Sequence, residues 1–179
     1  MNALYVGIDF GTSGCRAAAI DQGGRPAGQF AVAMPPDRDG AAVEQDPHIW
    51  WTALQQALCG LLDNLDRDAV RSLAVDGTSG TLLLTDGGAA PLGPALMYND
   101  ARAEGEAAEI GTVAPAESGV LGASSALAKL LHLQKSEPAS GARHALHQAD
   151  WIAGRLSGKL GISDHNNALK LGYDVIADR

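Results

Sequence analysis

The amino-acid sequence predicts an α/β fold, in which helices cover a β-sheet. Short apolar runs bounded by glycine-rich turns recur in the amino-terminal half, and such runs are typical of strands. The segment Pro47–Leu62 instead carries large apolar side chains at helical spacing. Two polar, glycine-containing breaks follow apolar runs, at the position where open α/β sheets place their ligands. These two breaks are therefore the first candidates for a functional site.

The first break lies in the opening stretch of the chain, which predicts strand, tight turn and strand. The strands are Leu4–Asp9 and Cys15–Asp21, and the turn between them contains Gly11, Thr12 and Ser13. Glycines adopt turn conformations at little cost, and short hydroxyl side chains are common beside them. The turn therefore leaves backbone N–H groups next to Asp9, at the end of the first strand.

Backbone N–H groups bared in such a turn form a concavity that can hold phosphate. A carboxylate beside bound phosphate indicates Mg²⁺, which prefers one or two carboxylates together with phosphate oxygens and water. The spacing matches neither the G-x-G-x-x-G dinucleotide motif nor a Walker loop, since no lysine precedes Lys129. The alternative interpretation is an ordinary hairpin closed by an Asx-type turn.

A third strand is predicted at Gln29–Met34, antiparallel to its neighbours because the connecting turns are short. A loop is expected from Pro35 to Gly40. Asp46 and Pro47 are typical of a helix start, and the helix through Leu62 should cover a sheet face with Trp51 and the leucines that follow it. For Trp50 and Trp51, packing in the core or at its rim is favoured over ligand contact.

The second break follows a fourth strand, Ser72–Val75, and reads Asp76-Gly77-Thr78-Ser79-Gly80. Strands are predicted again at Thr81–Thr85 and Pro94–Tyr98, joined through the hairpin signal Asp86-Gly87-Gly88. Thr78 and Ser79 are either turn-forming hydroxyls or ligand contacts.

Helices alternate with loops in the remaining sequence. A helix from Asp100 to Ile110 is predicted with Asp100 as its cap, and Ser124 or Ser125 should cap the next. The other predicted elements are a loop at 111–122, a turn at 136–141, a strand at 144–148, a helix at 149–156 ended by Gly158, and a helical segment after Asp164.

Composition bounds the class of protein. The chain has 179 residues, 46% of them hydrophobic, and a net charge of −8. One domain is the first expectation from length. The charge argues against nonspecific nucleic-acid binding, and the absence of a long apolar run argues against a membrane span, so a cytoplasmic protein is expected. Cys15 and Cys59 are predicted to be buried, reduced thiols, and the histidines share no metal-ligand spacing.

Five sequence blocks in order resemble the FGGY family of carbohydrate kinases. They are I-D-F-G-T-S-G-C-R at 8–16, E-Q-D-P-H-I-W-W at 44–51, D-G-T-S-G-T-L-L-L-T-D at 76–86, P-A-L-M-Y-N-D-A-R-A at 94–103 and D-W-I-A-G-R-L-S-G at 150–158. The D-G-T-S and Y-N-D-x-R blocks are most similar to the D-ribulose/D-xylulose kinases of the cyanobacterial and plant type, and so is the segment at 163–174.

The resemblance implies a ribonuclease H-like domain of the actin-like ATPase superfamily, with a mixed sheet and flanking helices. It implies transfer of the ATP γ-phosphate to a hydroxyl of a ketopentose such as D-ribulose or D-xylulose. Asp9 would be the catalytic aspartate that holds Mg²⁺ at the phosphates of ATP. The implied phosphate-loop residues are Gly11, Thr12 and Ser13, and the implied sugar-binding residues are Thr78, Ser79, Asp100 and Arg102.

Family members are much longer than this chain, so residues 1–179 would be an amino-terminal sugar-binding domain that lacks the general base and the adenosine site. Such a domain alone should neither phosphorylate sugar nor bind ATP well. The alternative hypothesis is a non-catalytic sugar-binding or interaction domain of the same fold. A third hypothesis is an acetate kinase-like phosphotransferase. Which ketose is bound stays open, and so does the oligomeric state, a homodimer included.

Overall fold

A computed structural model describes residues 3–34, 37–39, 42–135, 137–174 and 176–177 of the chain. The strands are β1 Leu4–Phe10, β2 Gly14–Asp21, β3 Pro26–Ala33, β4 Asp37–Asp39, β5 Ala42–Gln45, β6 Val70–Gly77, β7 Leu82–Thr85, β8 Ala95–Leu96 and β9 His144–His147. The α-helices are α1 Pro47–Leu62, α2 Glu104–Gly111, α3 Ala126–Gln134, α4 Gln148–Ser157 and α5 His165–Leu169. Short 3₁₀ helices occupy Arg67–Ala69 and Glu137–Gly141.

The chain divides into two compact units. The first unit contains residues 1–36 and 47–78, and the second unit contains residues 37–46 and 79–179. Each unit has its own sheet. Together the sheets and helices confirm the α/β class.

The sheet of the first unit has the strand order β3-β2-β1-β6. β1 pairs antiparallel with β2 and parallel with β6, and β2 pairs antiparallel with β3. The sheet is therefore mixed, and the predicted meander beside the fourth strand is confirmed. Alternate residues of β1 are buried, from Leu4 to Phe10, because one face of the sheet is covered and Asp9 lies on the other.

Helix α1 packs on β2 and β3 of the first unit. Its bounds agree with the prediction, but the buried stripe runs through Trp50, Ala53, Leu54, Ala57 and Leu61, with Trp51 only half-buried. The small side chains in this stripe bring the helix close to the sheet. A Cβ atom added at Gly60 would lie 2.6 Å from the ring of Phe30 on β3, so a larger residue there would require that ring to move.

The sheet of the second unit has the order β4-β5-β8-β7-β9, with every pair antiparallel. Helix α3 contacts β7, α2 contacts α3, and α4 contacts β9. Trp151 of α4 is fully buried and donates a hydrogen bond from its indole Nε1 to the carbonyl oxygen of Ala89, at 2.9 Å. The core of this unit therefore lies between its sheet and the helices that follow.

Several local predictions are wrong. Asp37–Asp39 forms a strand against β5 instead of a loop, while residues 35, 36 and 40 of that predicted loop lie outside the described residues. The predicted strand Pro94–Tyr98 is reduced to β8. Cys15 is buried as predicted, but Cys59 is exposed because it lies on the outer side of α1. Within the described residues no helix is both long and apolar enough to cross a bilayer.

Candidate functional site

The turn between β1 and β2 is closed by its backbone. The N–H of Gly11 donates to the carbonyl oxygen of Gly14 at 2.9 Å, and the N–H of Met34 donates to that of Ser13 at 2.8 Å. Among the described residues, the N–H groups of Thr12 and Ser13 have no acceptor. The turn therefore presents two free donors, as a site for phosphate oxygens requires.

Asp9 lies on the open face of the first unit's sheet, beside this turn. Its side chain is 56% exposed, and Oδ2 lies 3.8 Å from Nη1 of Arg16, across the β1–β2 pair. A shallow pocket at this place is lined by Asp9, Gly11, Ser13 and Arg16 together with backbone of β3. The structure thus brings together the predicted phosphate-side residues, with Thr12 in the same turn.

This donor set fits a magnesium-bound phosphate. The oxygens of Asp9 are not held in a tight ion pair. Among the described residues there is no cluster of three or more His, Cys, Asp or Glu side chains that could hold a metal ion. A Mg²⁺ ion here would therefore depend on one or two carboxylates and on oxygens supplied by phosphate and water, which is the coordination it prefers. In the parallel register of β1 and β6, Asp76 lies opposite Asp9.

Thr78 follows β6 and belongs to the first unit. Both its N–H and its Oγ1 donate to the carbonyl oxygen of Phe10, at 3.0 and 3.2 Å, so its hydroxyl fastens the end of β6 to the end of β1. Ser79 begins the second unit, and its Oγ is buried with no hydrogen-bond partner in the described structure. A buried hydroxyl without a partner is costly, so Ser79 is ready to bind a polar group.

Asp100 and Arg102 form a buried ion pair in the second unit. Arg102 donates from Nε and Nη2 to the carboxylate of Asp100 at 2.7–3.1 Å, and from Nη1 to Oε1 of Glu44 at 2.7 Å. The N–H of Val43 also donates to Asp100 Oδ2, at 2.7 Å. The Asp100 side chain is 0% exposed, whereas Arg102 is 26% exposed and reaches the surface.

Burial and hydrogen bonding shift the pKa of Asp100 in opposite directions. Burial would raise the pKa of Asp100, but the hydrogen bonds from Arg102 and Val43 outweigh it and hold the pKa below its ordinary value. The hydrogen bond to Asp100 raises the pKa of Arg102. Both groups are therefore charged, and the carboxylate is saturated by donors from its own chain.

The predicted capping role of Asp100 is wrong. Helix α2 begins at Glu104, its N-cap is Ala103, and no side chain caps it. The Asp100 carboxylate binds Arg102 and Val43 instead, because those donors come from a neighbouring strand and from its own loop. By contrast, Ser125 caps α3 and Asp164 caps α5, as predicted.

Comparison with known proteins identifies the family. The model for the FGGY family of carbohydrate kinases, N-terminal domain, matches residues 4–177. This chain belongs to that family. A xylulose kinase from Klebsiella pneumoniae is 28% identical over 179 residues, covering 96% of this chain and 37% of the relative. The chain therefore spans about a third of the length of the curated relatives it matches.

Solved structures agree with the FGGY assignment. A xyloylose kinase from Brucella ovis superimposes with a TM-score of 0.87 at 26% identity, over 95% of this chain and 37% of that one. A Plasmodium falciparum glycerol kinase, solved with ADP, superimposes with a TM-score of 0.85 at 17% identity, over 99% of this chain and 39% of that one. The actin-like ATPase fold that the resemblance implies is thereby confirmed.

Sequence reasoning missed three polar residues of this FGGY domain. Arg16 faces Asp9, and the period-two pattern of the strand places it there. Glu44 binds Arg102 and lies inside a block quoted for the family resemblance. Lys129 is 0% exposed within helix α3, and its signal is a lysine in the apolar run A-L-A-K-L-L.

Proposed function

We propose that the whole protein is an ATP-dependent kinase that phosphorylates a hydroxyl of a ketopentose, D-ribulose or D-xylulose. The observation that carries the proposal is Asp9, an exposed carboxylate at a strand end beside the free N–H groups of Thr12 and Ser13, in a chain of the carbohydrate kinase family. Phosphoryl transfer needs mainly positioning and neutralised negative charge, and this set supplies both.

On the nucleotide side, Asp9 holds Mg²⁺ and the turn from Gly11 to Ser13 holds phosphate oxygens. The metal would neutralise charge on the phosphates of ATP. Because the chain carries a net charge of −8, this local compensation matters more than any general attraction for anions.

The proposed sugar-side residues have different roles. They are Thr78, Ser79, Asp100 and Arg102. Among the described residues the buried Ser79 hydroxyl has no partner, and the Arg102 guanidinium reaches the surface, so both are candidates for contact with sugar hydroxyls. Asp100 has no exposed side-chain area and acts by fixing Arg102. Thr78 acts by fixing the segment that carries Ser79.

The test is a panel of ketoses and polyols with the whole protein, Mg²⁺ and ATP, with ADP release as the readout. We expect kcat/KM for D-ribulose or D-xylulose to exceed that for glycerol and for aldoses by at least tenfold. Sugar binding by calorimetry without ADP release would support the non-catalytic sugar-binding domain instead. Preference for acetate, or for a non-sugar acceptor, would overturn the substrate class.

A further inference from the structure

Lys129 is a buried lysine that no carboxylate contacts within the part of the chain that the structure describes. It lies in helix α3 of the second unit, is 0% exposed, and donates from Nζ to two backbone carbonyl oxygens, those of Gly80 at 2.6 Å and Met97 at 2.8 Å. A lysine is rarely buried to this extent because its charge loses hydration. Methionine or leucine would fill the same volume at lower cost, so packing does not explain the residue.

The two carbonyls belong to two different segments that carry proposed sugar-side residues. Gly80 follows Ser79, and Met97 begins the loop that continues to Asp100 and Arg102. The N–H of Tyr98 also donates to Oγ1 of the buried Thr81, at 3.2 Å. Lys129 and Thr81 therefore join the 79–81 segment to the 97–102 segment, all within the second unit.

The surroundings of Lys129 Nζ suit a hydrogen-bond donor that holds two carbonyl groups in place. Burial lowers the pKa of Lys129 to about 8, against the opposing influence of the Asp100 carboxylate. Gly80 has φ = +85°, a conformation that favours glycine, and this conformation accompanies the carbonyl contact with the lysine. An ammonium or an amine can donate to both carbonyls, so the link persists on either side of that pKa.

We propose that Lys129 is a positioning residue for sugar recognition, which sets the spacing between the segment of Ser79 and the segment of Asp100 and Arg102. The proposal rests on the sugar-side assignment made above. Lys129 itself touches no substrate. Its loss should weaken ketose binding while leaving the nucleotide side unchanged, because Asp9 and the turn from Gly11 to Ser13 belong to the other unit.

The test compares Lys129→Met with Lys135→Met in the whole protein. Lys135 follows the same helix, but its side chain is 57% exposed and is bound to Glu106, so it is the matched control. For Lys129→Met we expect the ketose KM to rise at least tenfold and the ATP KM to stay within twofold. Lys135→Met should leave both constants within twofold of wild type.

Hydrogen exchange measured by mass spectrometry provides a readout independent of activity. In Lys129→Met, amides of residues 79–82 and 97–102 should exchange at least tenfold faster, while those of residues 4–21 keep their rates. If Lys129→Met does not fold, Thr81→Val removes the second link without changing volume, and it should accelerate exchange in the 97–102 segment and raise the ketose KM about threefold.

The outcomes separate the two proposals. A wild-type protein that phosphorylates no ketose overturns the proposed function, while faster exchange in both segments still supports the link made by Lys129. Unchanged exchange and an unchanged ketose KM in a folded Lys129→Met protein overturn the positioning role. A fall in melting temperature alone, with ketose and ATP constants as in wild type, assigns Lys129 to stability only.

Discussion

Arg102 holds the carboxylate of Asp100 through three side-chain hydrogen bonds of 2.7–3.1 Å, and no part of the Asp100 side chain is exposed. The same carboxylate receives the N–H of Val43, which lies 57 residues earlier in the chain. One buried acid thus fixes both the loop after β8 and the start of β5. Removing its charge should affect stability as well as sugar binding.

Asp100→Asn should lower the free energy of unfolding by about 3 kcal/mol, because it leaves the buried part of the Arg102 guanidinium without its anion. Urea unfolding followed by tryptophan fluorescence measures this change. Glu44→Gln is the control, since Glu44 also binds Arg102 but its side chain is 34% exposed, and it should cost less than about 1 kcal/mol. Equal losses in the two variants would contradict the special role of Asp100.

The contribution of Asp100 should also depend on pH. Its pKa in the folded protein is lower than the ordinary value near 4, so the stabilisation is fully present above pH ~4 and is lost as the pH falls through the lowered pKa. The stability difference between wild type and Asp100→Asn should therefore be the same at pH 7 and pH 5 and smaller below pH 3. A difference that grows on acidification would show that the carboxylate is not held in its charged form.

Asp9→Asn should reduce kcat of the whole protein by roughly 10²–10³, about 2.7–4 kcal/mol, if Asp9 organises Mg²⁺ at the transferred phosphoryl group. Stability should change by less than about 1 kcal/mol, because its ion pair with Arg16 is long and exposed. Melting temperature and kcat are measured on the same preparation.

Asp63→Asn is a matched control for Asp9→Asn. Asp63 also pairs with an arginine, Arg67, at 3.8 Å, and is 67% exposed in the same unit. Its loss should leave kcat within about threefold of wild type. A kcat for Asp9→Asn in that same range would assign Asp9 to structure alone.

Gly14→Ala should destabilise the first unit by about 1–3 kcal/mol. A Cβ atom at Gly14 would lie 2.9 Å from the carbonyl oxygen of Val32, and the backbone of β3 cannot move without breaking its pairing with β2. Gly7→Ala on the neighbouring strand has no atom within 4 Å of the added Cβ, and should change stability by less than about 0.5 kcal/mol. Thermal unfolding of the two variants side by side tests this contrast.

The two cysteines should differ in reactivity. Burial, with the nearby Asp9 charge, raises the pKa of Cys15 to about 11, so at pH 8 roughly one Cys15 thiol in a thousand is ionised. Cys59 is exposed. Within residues 1–179, native protein treated with iodoacetamide at pH 8 should gain an alkyl group at Cys59 and none at Cys15, by peptide mass spectrometry. In Cys59→Ser, peptides from residues 1–179 should gain no alkyl group on the same timescale, and rapid alkylation of Cys15 would show that the strand pair opens.

Local sequence signals predicted the elements whose partners are close in the chain. Helix α1 has the predicted bounds because Pro47 suits the first helical position and the apolar period is regular. The strands β1 and β2 follow from their apolar runs and the short turn between them. The proximity of Asp9 and Ser13 was predictable for the same reason, since both lie within one hairpin.

The contacts of Asp100 with Val43 and of Lys129 with two carbonyls join residues far apart in the chain, and local sequence signals do not predict them. Asp100 was expected at a helix start because Asp is a good cap, but Val43 and Arg102 compete for its carboxylate. Lys129 finds carbonyls that are 49 and 32 residues away. In α1, the apolar spacing predicted that Trp51 faces the sheet. The structure instead buries Trp50 and the alanines, whose small side chains allow the helix to lie close to the sheet.

The strands β4 and β5 have a consequence for any shortened gene product. In the sequence they lie between β3 and α1, which both belong to the first unit. Yet β5 pairs with β8, which follows the last residue of the first unit. During synthesis on the ribosome, the edge of β5 therefore stays unpaired until β8 has been made, while the first unit can already fold. A chain truncated after Thr78 would keep that edge permanently, with the donors and acceptors of Glu44 and Gln45 exposed, and should aggregate. A recombination event would therefore have to exchange residues 37–46 together with those from Ser79 onward.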